Sequence, residues 1–299
     1  ETLVVAGDDV DVRGDHLAFH LAAGVDLVLV SGATQGAAEA LADDRVRVVP
    51  ETSRTALARA AATEHGADWL LDADPDEFWW PRSESLKDAL APMPARYGVV
   101  QGLVRTFPPQ PGDGAALERM TRRPSLEPPA VAEPIRWALR PVYRADPELV
   151  VGETPRGRVP LRAWYPFEVL RFPLRDAAQA ERRLARAEPR SELEQEAAAA
   201  RTEGRLADAF STLGRGRPLV EDVRVRDALA AIRAGAAPPF RAPDVVDDAA
   251  YAVECAAVGE VDLPKLERYV AELEQRIAVL EQRFWPRVQR RLARAVRRT

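Results

Sequence analysis

The chain of 299 residues has a single cysteine, Cys255, so no disulfide can close within it and the framework of a small secreted scaffold is excluded. It has no apolar run of about 18 residues, which leaves no transmembrane helix to expect. Lysine occurs only at Lys87 and Lys265, so nearly all of the 42 basic residues are arginine, a bias that reads as genomic composition. An excess of positive charge is missing as well. The 47 acids outnumber the bases, the net charge is -5, and nothing in that balance makes a case for nucleic acid as a partner. Residues 3–6 are already strand-like, with no charged-then-apolar segment, and a cytoplasmic protein is the expectation. What the chain does have is a hydrophobic content of 46%, enough for a sizeable core in one large domain or a domain with an appendage.

The pattern centres on residues 69–81. Asp72, Asp74, Asp76 and Glu77 fall within a few residues of one another, between a short apolar run and the aromatic block Phe78-Trp79-Trp80, which Pro81 closes. A run as short as 67–71 reads as a buried strand. Carboxylates at the carboxyl end of such a strand stand where open α/β sheets bind their ligands. They repel one another unless a cation is shared. With no Cys or His beside them, the oxygen ligands favour a hard divalent ion, Mg²⁺ or Mn²⁺. A solvated acidic turn is the alternative. Three large rings next to it argue for a pocket-like wall instead, because each ring favours burial.

Around this stretch, strand and helix patterns alternate. Strands are expected at 3–6, 26–30 and 46–49, and helices at 15–23, 36–41 and 52–65, the last capped by Thr52 or Ser53. That order predicts a parallel sheet with right-handed crossovers. His16 and His20 lie within one short amphipathic helix and read as structural. His65 ends a helix, where a cation suits the dipole. Further on, 83–90 reads as a helix capped by Ser83, 97–104 as a strand, and 110–134 as long mobile loops of the kind that cover substrates. Arg119, Arg122 and Arg123 in those loops are either diphosphate contacts or a solvated basic surface. Helices follow at 191–213, capped by Ser191, and at 222–234.

Gly66-Ala67-Asp68-Trp69, followed by Asp74-Pro75-Asp76-Glu77-Phe78 and Trp79-Trp80-Pro81, resembles the Asp-X-Asp-Glu-Phe block of family 2-like glycosyltransferases. The resemblance extends over residues 2–190. His20-Leu21-Ala22-Ala23-Gly24-Val25-Asp26 is similar to the family's His-Leu-Ala-Leu-Gly-Val-Asp segment, and Gly7-Asp8-Asp9-Val10-Asp11 takes the place of its Arg-Asn-Glu-Ala-Asp. Trp137-Ala138-Leu139-Arg140-Pro141 matches a segment with an Arg-Pro pair. Val169-Leu170-Arg171-Phe172-Pro173-Leu174-Arg175, with Gln179 and Arg183, resembles the family's Leu-His-Phe-Pro-X-Arg block. The chain departs from the pattern at Gly7, which lacks the arginine, and at Ser31-Gly32-Ala33-Thr34-Gln35-Gly36, which lacks two acids. It departs again at Gly152-Glu153-Thr154, which stands for Gly-Asn-His, and at Arg171, which replaces a histidine.

The resemblance implies a GT-A-like (Rossmann-like) α/β fold, with a mostly parallel central sheet flanked by helices. It implies a glycosyltransferase that moves a sugar from a nucleotide-diphosphate sugar to a hydroxyl of a glycan, lipid or small molecule. Asp74 and Asp76 would hold Mn²⁺ or Mg²⁺ on the diphosphate, stabilising charge on the leaving nucleotide. Asp8 and Asp9 would line the nucleotide pocket. Arg171 cannot ligate a metal but can hold phosphate as a bidentate donor. Trp79 and Trp80 would shape the acceptor or sugar wall, and an inverting reaction would need a base, Glu77 or Glu153. The other class of reading is a catalytically degenerate relative serving as a binding or assembly module. A metal-dependent phosphohydrolase would need a nucleophile or further ligands that the sequence does not offer.

The domain expectation is a glycosyltransferase-like unit at 1–190, a helical extension and linker at 191–243, and a C-terminal segment at 244–299. In that last segment Leu263, Leu266, Val270, Leu273, Ile277, Leu280 and Phe284 step by threes and fours as a heptad seam. It either pairs as a coiled coil in a homodimer or docks on the catalytic domain. Beyond Pro286 the arginines are unopposed by acids, as in a helix lying on an anionic membrane surface with Phe284 and Trp285 as anchors, or in a solvated tail. Peripheral contact with the inner face of the membrane is thus one expectation for its location.

Overall fold

The computed structural model describes residues 1–5, 10–31, 43–50, 53–124, 138–161, 165–216 and 218–240. Its first half alternates strand and helix: β1 (Thr2–Val5), α1 (Val10–Ala22), β2 (Leu27–Ser31), β3 (Val46–Val49), α2 (Arg54–Glu64) and β4 (Trp69–Ala73). β1 pairs in parallel with β2 and β4, and β2 with β3. The strand order 3-2-1-4 therefore turns round between β1 and β4, which is where open α/β sheets form a crevice. The two-residue period decides the faces. Val28, Val30, Leu71 and Ala73 join the cluster that holds Leu17 and Phe19 of α1, while Leu29 and Leu70 face Leu57, Ala58 and Ala61 of α2. Gly24, at φ 96°, lets the chain leave α1 through the left-handed region.

The second half supplies β5 (Glu77–Pro81), α3 (Leu86–Leu90), β6 (Tyr97–Thr106), α4 (Ala116–Arg119), β7 (Arg122–Pro124), β8 (Leu139–Arg144), β9 (Val159–Pro160) and β10 (Phe167–Arg171). Then come α5 (Ala177–Arg186), α6 (Glu192–Thr202), α7 (Leu206–Ala209), β11 (Leu219–Glu221) and α8 (Arg224–Arg233). β8 runs antiparallel between β4 and β6, while β10 runs parallel to β6 and antiparallel to β5. β9 pairs with β6, and β7 with β11 forms a separate ribbon. The result is a mixed α/β sheet flanked by helices, parallel in its first four strands and mixed beyond them.

Several local expectations shift. Phe78, Trp79 and Trp80 lie inside β5, every residue of which is buried. β5 ends the sheet order, and its outer edge is covered by α1. There the Trp79 backbone N–H donates to His20 Nε2 at 3.2 Å, while His20 Nδ1 donates to the His16 carbonyl at 2.8 Å. This neutral imidazole satisfies an edge donor that would otherwise face the core. Both histidines are fully buried, in agreement with a structural role. Ser85, not Ser83, caps α3, its hydroxyl accepting the Asp88 N–H at 3.0 Å. The helix expected over 191–213 breaks at Gly204, φ 70°, into α6, α7 and a short 3-10 turn.

The segment after residue 190 packs on the sheet-bearing part. Val225, Ala228 and Leu229 of α8 enter the same core cluster as Leu17 and Phe19. Residues 6–9, 32–42 and 125–137 lie outside the described residues, and so do Asp8, Asp9, the acidic stretch, the heptad seam and the basic tail. Among the described residues, no helix is long and apolar enough to cross a membrane.

Candidate functional site

β4 brings Asp72 opposite Val4 of β1, and Asp74 follows one residue beyond the strand, at the carboxyl edge of the sheet where its order reverses. Pro75 pre-sets a tight turn, closed by the Glu77 N–H donating to the Asp74 carbonyl at 3.0 Å. The Glu77 carboxylate in turn accepts the Asp74 N–H at 3.1 Å. The Phe172 N–H donates to the Asp76 carbonyl at 2.9 Å, and the β5–β10 register sets Arg171 directly across from Glu77. The four acids are thus positioned by strand register and a hydrogen-bonded turn, which the Glu77 carboxylate itself helps to close.

Five guanidiniums close around them. Arg54 of α2 donates to both Asp72 and Asp74. Arg140 of β8 reaches Glu77 Oε2 at 2.8 Å and lies 3.7 Å from Asp74. Arg190, just before α6, donates to Asp74. Arg171 lies 3.6 Å from Asp76 and 3.7 Å from Glu77. Arg183 of α5 lies 3.1 Å from Asp76. A fifth acid, Glu194 of α6, binds Arg171 through both oxygens at 3.1 and 3.2 Å and accepts from Arg183 at 3.0 Å. It also accepts the Arg190 N–H at 3.0 Å and the Ser191 hydroxyl at 3.0 Å, within a Ser191-x-x-Glu194 helix cap. Five acids face five arginines.

Burial alone would raise the Asp74 carboxyl, but Arg54, Arg140 and Arg190 hold it below its usual value. Burial likewise opposes ionisation of Glu194, and Arg171 with Arg183 overcomes it. Glu77 goes the other way. Burial, helped by Asp74 and Asp76, pushes its carboxyl up to about 7 against the pull of Arg140 and Arg171.

The residues expected at the site separate into two groups. Asp74, Asp76, Glu77 and Arg171 come together. Glu153 does not: it is exposed on a turn after Val150, and no described contact links it to the acids. Trp79 is fully buried, its ring 6.0 Å from that of Phe167, and Trp80 is buried against Phe240 with the Arg224 guanidinium over its ring. Both are core side chains, so neither forms the wall expected of it. Arg171 is buried among three carboxylates and offers no open face to a phosphate. A divalent ion on Asp74 and Asp76 does not fit this arrangement. Asp76 is fully buried beside two guanidiniums, Asp74 is met by three, and among the described residues no three Asp, Glu, His or Cys groups converge as a metal site.

No family model matches the chain, and no curated protein matches it. Among solved structures it is similar to the mannose-1-phosphate geranyltransferase from Thermus thermophilus, at 19% identity and a TM-score of 0.23, over 71% of this chain and 67% of that one. A likeness of that size carries no argument. The chemistry rests on the chain's own residues.

Those residues include several that sequence reasoning assigned no role. Arg140 and Arg183 fall within segments of the resemblance without one. Arg54, Arg190 and Glu194 lie apart from its motifs, and the capping pattern Ser191-x-x-Glu194 was the one local signal that could have drawn attention to Glu194.

Proposed function

We propose that the chain is a glycosyltransferase, moving a sugar from a nucleotide-diphosphate sugar to a hydroxyl acceptor. The observation that carries the reading is the Asp72–Glu77 cluster at the carboxyl end of β4, beside the reversal in strand order and within a segment that resembles the family's central block. Transfer leaves a nucleoside diphosphate, whose new negative charge must meet cationic groups. Arg54, Arg140 and Arg190 stand at that edge of the cluster. Glu77 is the candidate base, by its place in the cluster. The test is release of nucleoside diphosphate from a panel of nucleotide sugars offered with simple alcohol acceptors, in Mn²⁺ and in EDTA. Release from one donor, lost in Glu77→Gln, supports the reading; silence across the whole panel sinks it.

A second reading is favoured by one feature. Each carboxylate of the cluster already meets a guanidinium, as in an ionic core whose role is structural. On that reading the chain is a degenerate glycosyltransferase-like protein that binds or assembles through its C-terminal segment, and self-association, read by sedimentation, replaces donor turnover.

A further inference from the structure

The cluster is layered by charge. Asp76, Glu77 and Glu194 lie innermost, their side chains 2% exposed or less. Asp74 is 9% exposed, and the three guanidiniums gathered on it reach further out: Arg140 at 20%, Arg54 at 25% and Arg190 at 49%. These three come from β8, α2 and the segment before α6, so each can adjust without moving the others' backbone. Asp74 accepts from Arg54 and from Arg190, with Arg140 3.7 Å away, while Arg54 also serves Asp72 and Arg140 also serves Glu77. Guanidinium forks match the oxygens of phosphate as well as those of carboxylate. The cluster is balanced in charge, but its most exposed side chains are guanidiniums, which stand between the buried acids and solvent.

Building on the transferase reading, we infer that Arg54, Arg140 and Arg190 form a cradle that takes the donor's diphosphate directly, without a metal ion. Asp74 holds the cradle in shape until the phosphate displaces it. The Asp74 carboxylate competes with the ligand for the guanidiniums and does not ligate a cation. Arg190 contributes from the most exposed position and gates the exchange.

The test is calorimetric titration of the full chain with inorganic pyrophosphate and with uridine, guanosine, adenosine and cytidine diphosphates, in EDTA and in Mn²⁺. Wild type is compared with Arg190→Ala, Arg190→Lys and Asp74→Asn, each checked for folding by thermal melting. The expected result is binding in EDTA as tight as in Mn²⁺. Arg190→Ala should weaken it by about tenfold to a hundredfold, the loss of a charge-assisted pair. Arg190→Lys should recover only part of that, because an ammonium cannot make the fork. Asp74→Asn should bind pyrophosphate more tightly than wild type. Binding that requires Mn²⁺ and that Asp74→Asn abolishes overturns the cradle while leaving donor turnover, and with it the transferase reading, intact. An Arg190→Ala variant that binds like wild type overturns it too. Absence of binding to any of these ligands overturns the cradle, and loss of donor turnover alongside it overturns the transferase reading as well.

Discussion

Glu194 carries more of the site than its position in the sequence suggests. One carboxylate satisfies Arg171 and Arg183, accepts the Arg190 N–H and completes the cap of α6. Glu194→Ala leaves two largely buried cations short of a partner, a change worth about 3–5 kcal/mol for a buried pair, while the Ser191 cap, which accepts the backbone N–H of residue 194, remains. A urea titration should show the midpoint falling accordingly, with Glu194→Gln intermediate because the amide oxygen still accepts from the Arg190 N–H. Glu153→Gln, on an exposed turn, should stay within about 0.5 kcal/mol of wild type. An equal loss in both variants would refute the assignment. At this scale the acids were legible and their partners were not. Asp72 to Glu77 announce themselves by local density, whereas Arg54 meets Asp72 across 18 residues and Arg190 meets Asp74 across 116. No window of sequence contains both halves of such a pair, and repulsion among the acids suggested a metal where the fold brings arginines.

Among the elements, α8 is joined to the sheet by a second ionic group. Glu168 of β10 accepts from Arg105 of β6 at 2.9 Å and from Arg224 at the start of α8, and Arg224 also binds Asp222, which Arg123 of β7 holds at 2.7 Å. Burial alone would raise the Glu168 carboxyl, yet Arg224 and Arg105 keep it well below the usual carboxylate range. Glu168→Ala removes the buried carboxylate that Arg105 and Arg224 share, leaving Arg224 with Asp222, and should cost about 3–5 kcal/mol. Hydrogen exchange should then quicken in α8 and β10 together, since the lock joins them; unchanged exchange in α8 would mean that the apolar contacts, not the charges, hold it. Legibility varied by element in the same physical way. β2, β3 and α2 were readable because apolar periodicity and local punctuation such as Gly24 and Gly66 sit within a few residues. β5 was not, because a strand buried on both faces shows no alternation, and its aromatics read as a wall beside a loop. β8 places Pro141 opposite Gln101 inside the sheet, a residue that sequence patterns assign to edges.

For the whole molecule, the buried titratable groups set how stability responds to pH. His20 is neutral in the fold, burial lowering its pKa from 6.5 to about 4, and burial and the nearby His20 lower that of His16 as well. The unfolded chain takes up these protons below pH 6.5 while the folded one refuses them, so stability rises with pH between about 4 and 6.5. For His20 the rise amounts to about 3 kcal/mol. Glu77 opposes it: raised from 4.5 to about 7, its folded form holds a proton that the unfolded chain has lost, and stability falls with pH over that window by a similar amount. These two nearly offset, and His16 tips the sum toward greater stability at neutral pH. Below about pH 4, protonation of Asp74, Asp222 and Glu194, each held ionised by arginines, takes away more. Urea unfolding across pH 4.5 to 7.5 should therefore rise to about 6.5 in wild type. Glu77→Gln, which keeps an acceptor for Arg140 and for the Asp74 N–H but cannot titrate, should rise more steeply over the same interval. If that variant instead ran parallel to wild type, Glu77 would be titrating at an ordinary carboxylate value, and the buried acid would be a permanent anion neutralised by Arg140 and Arg171.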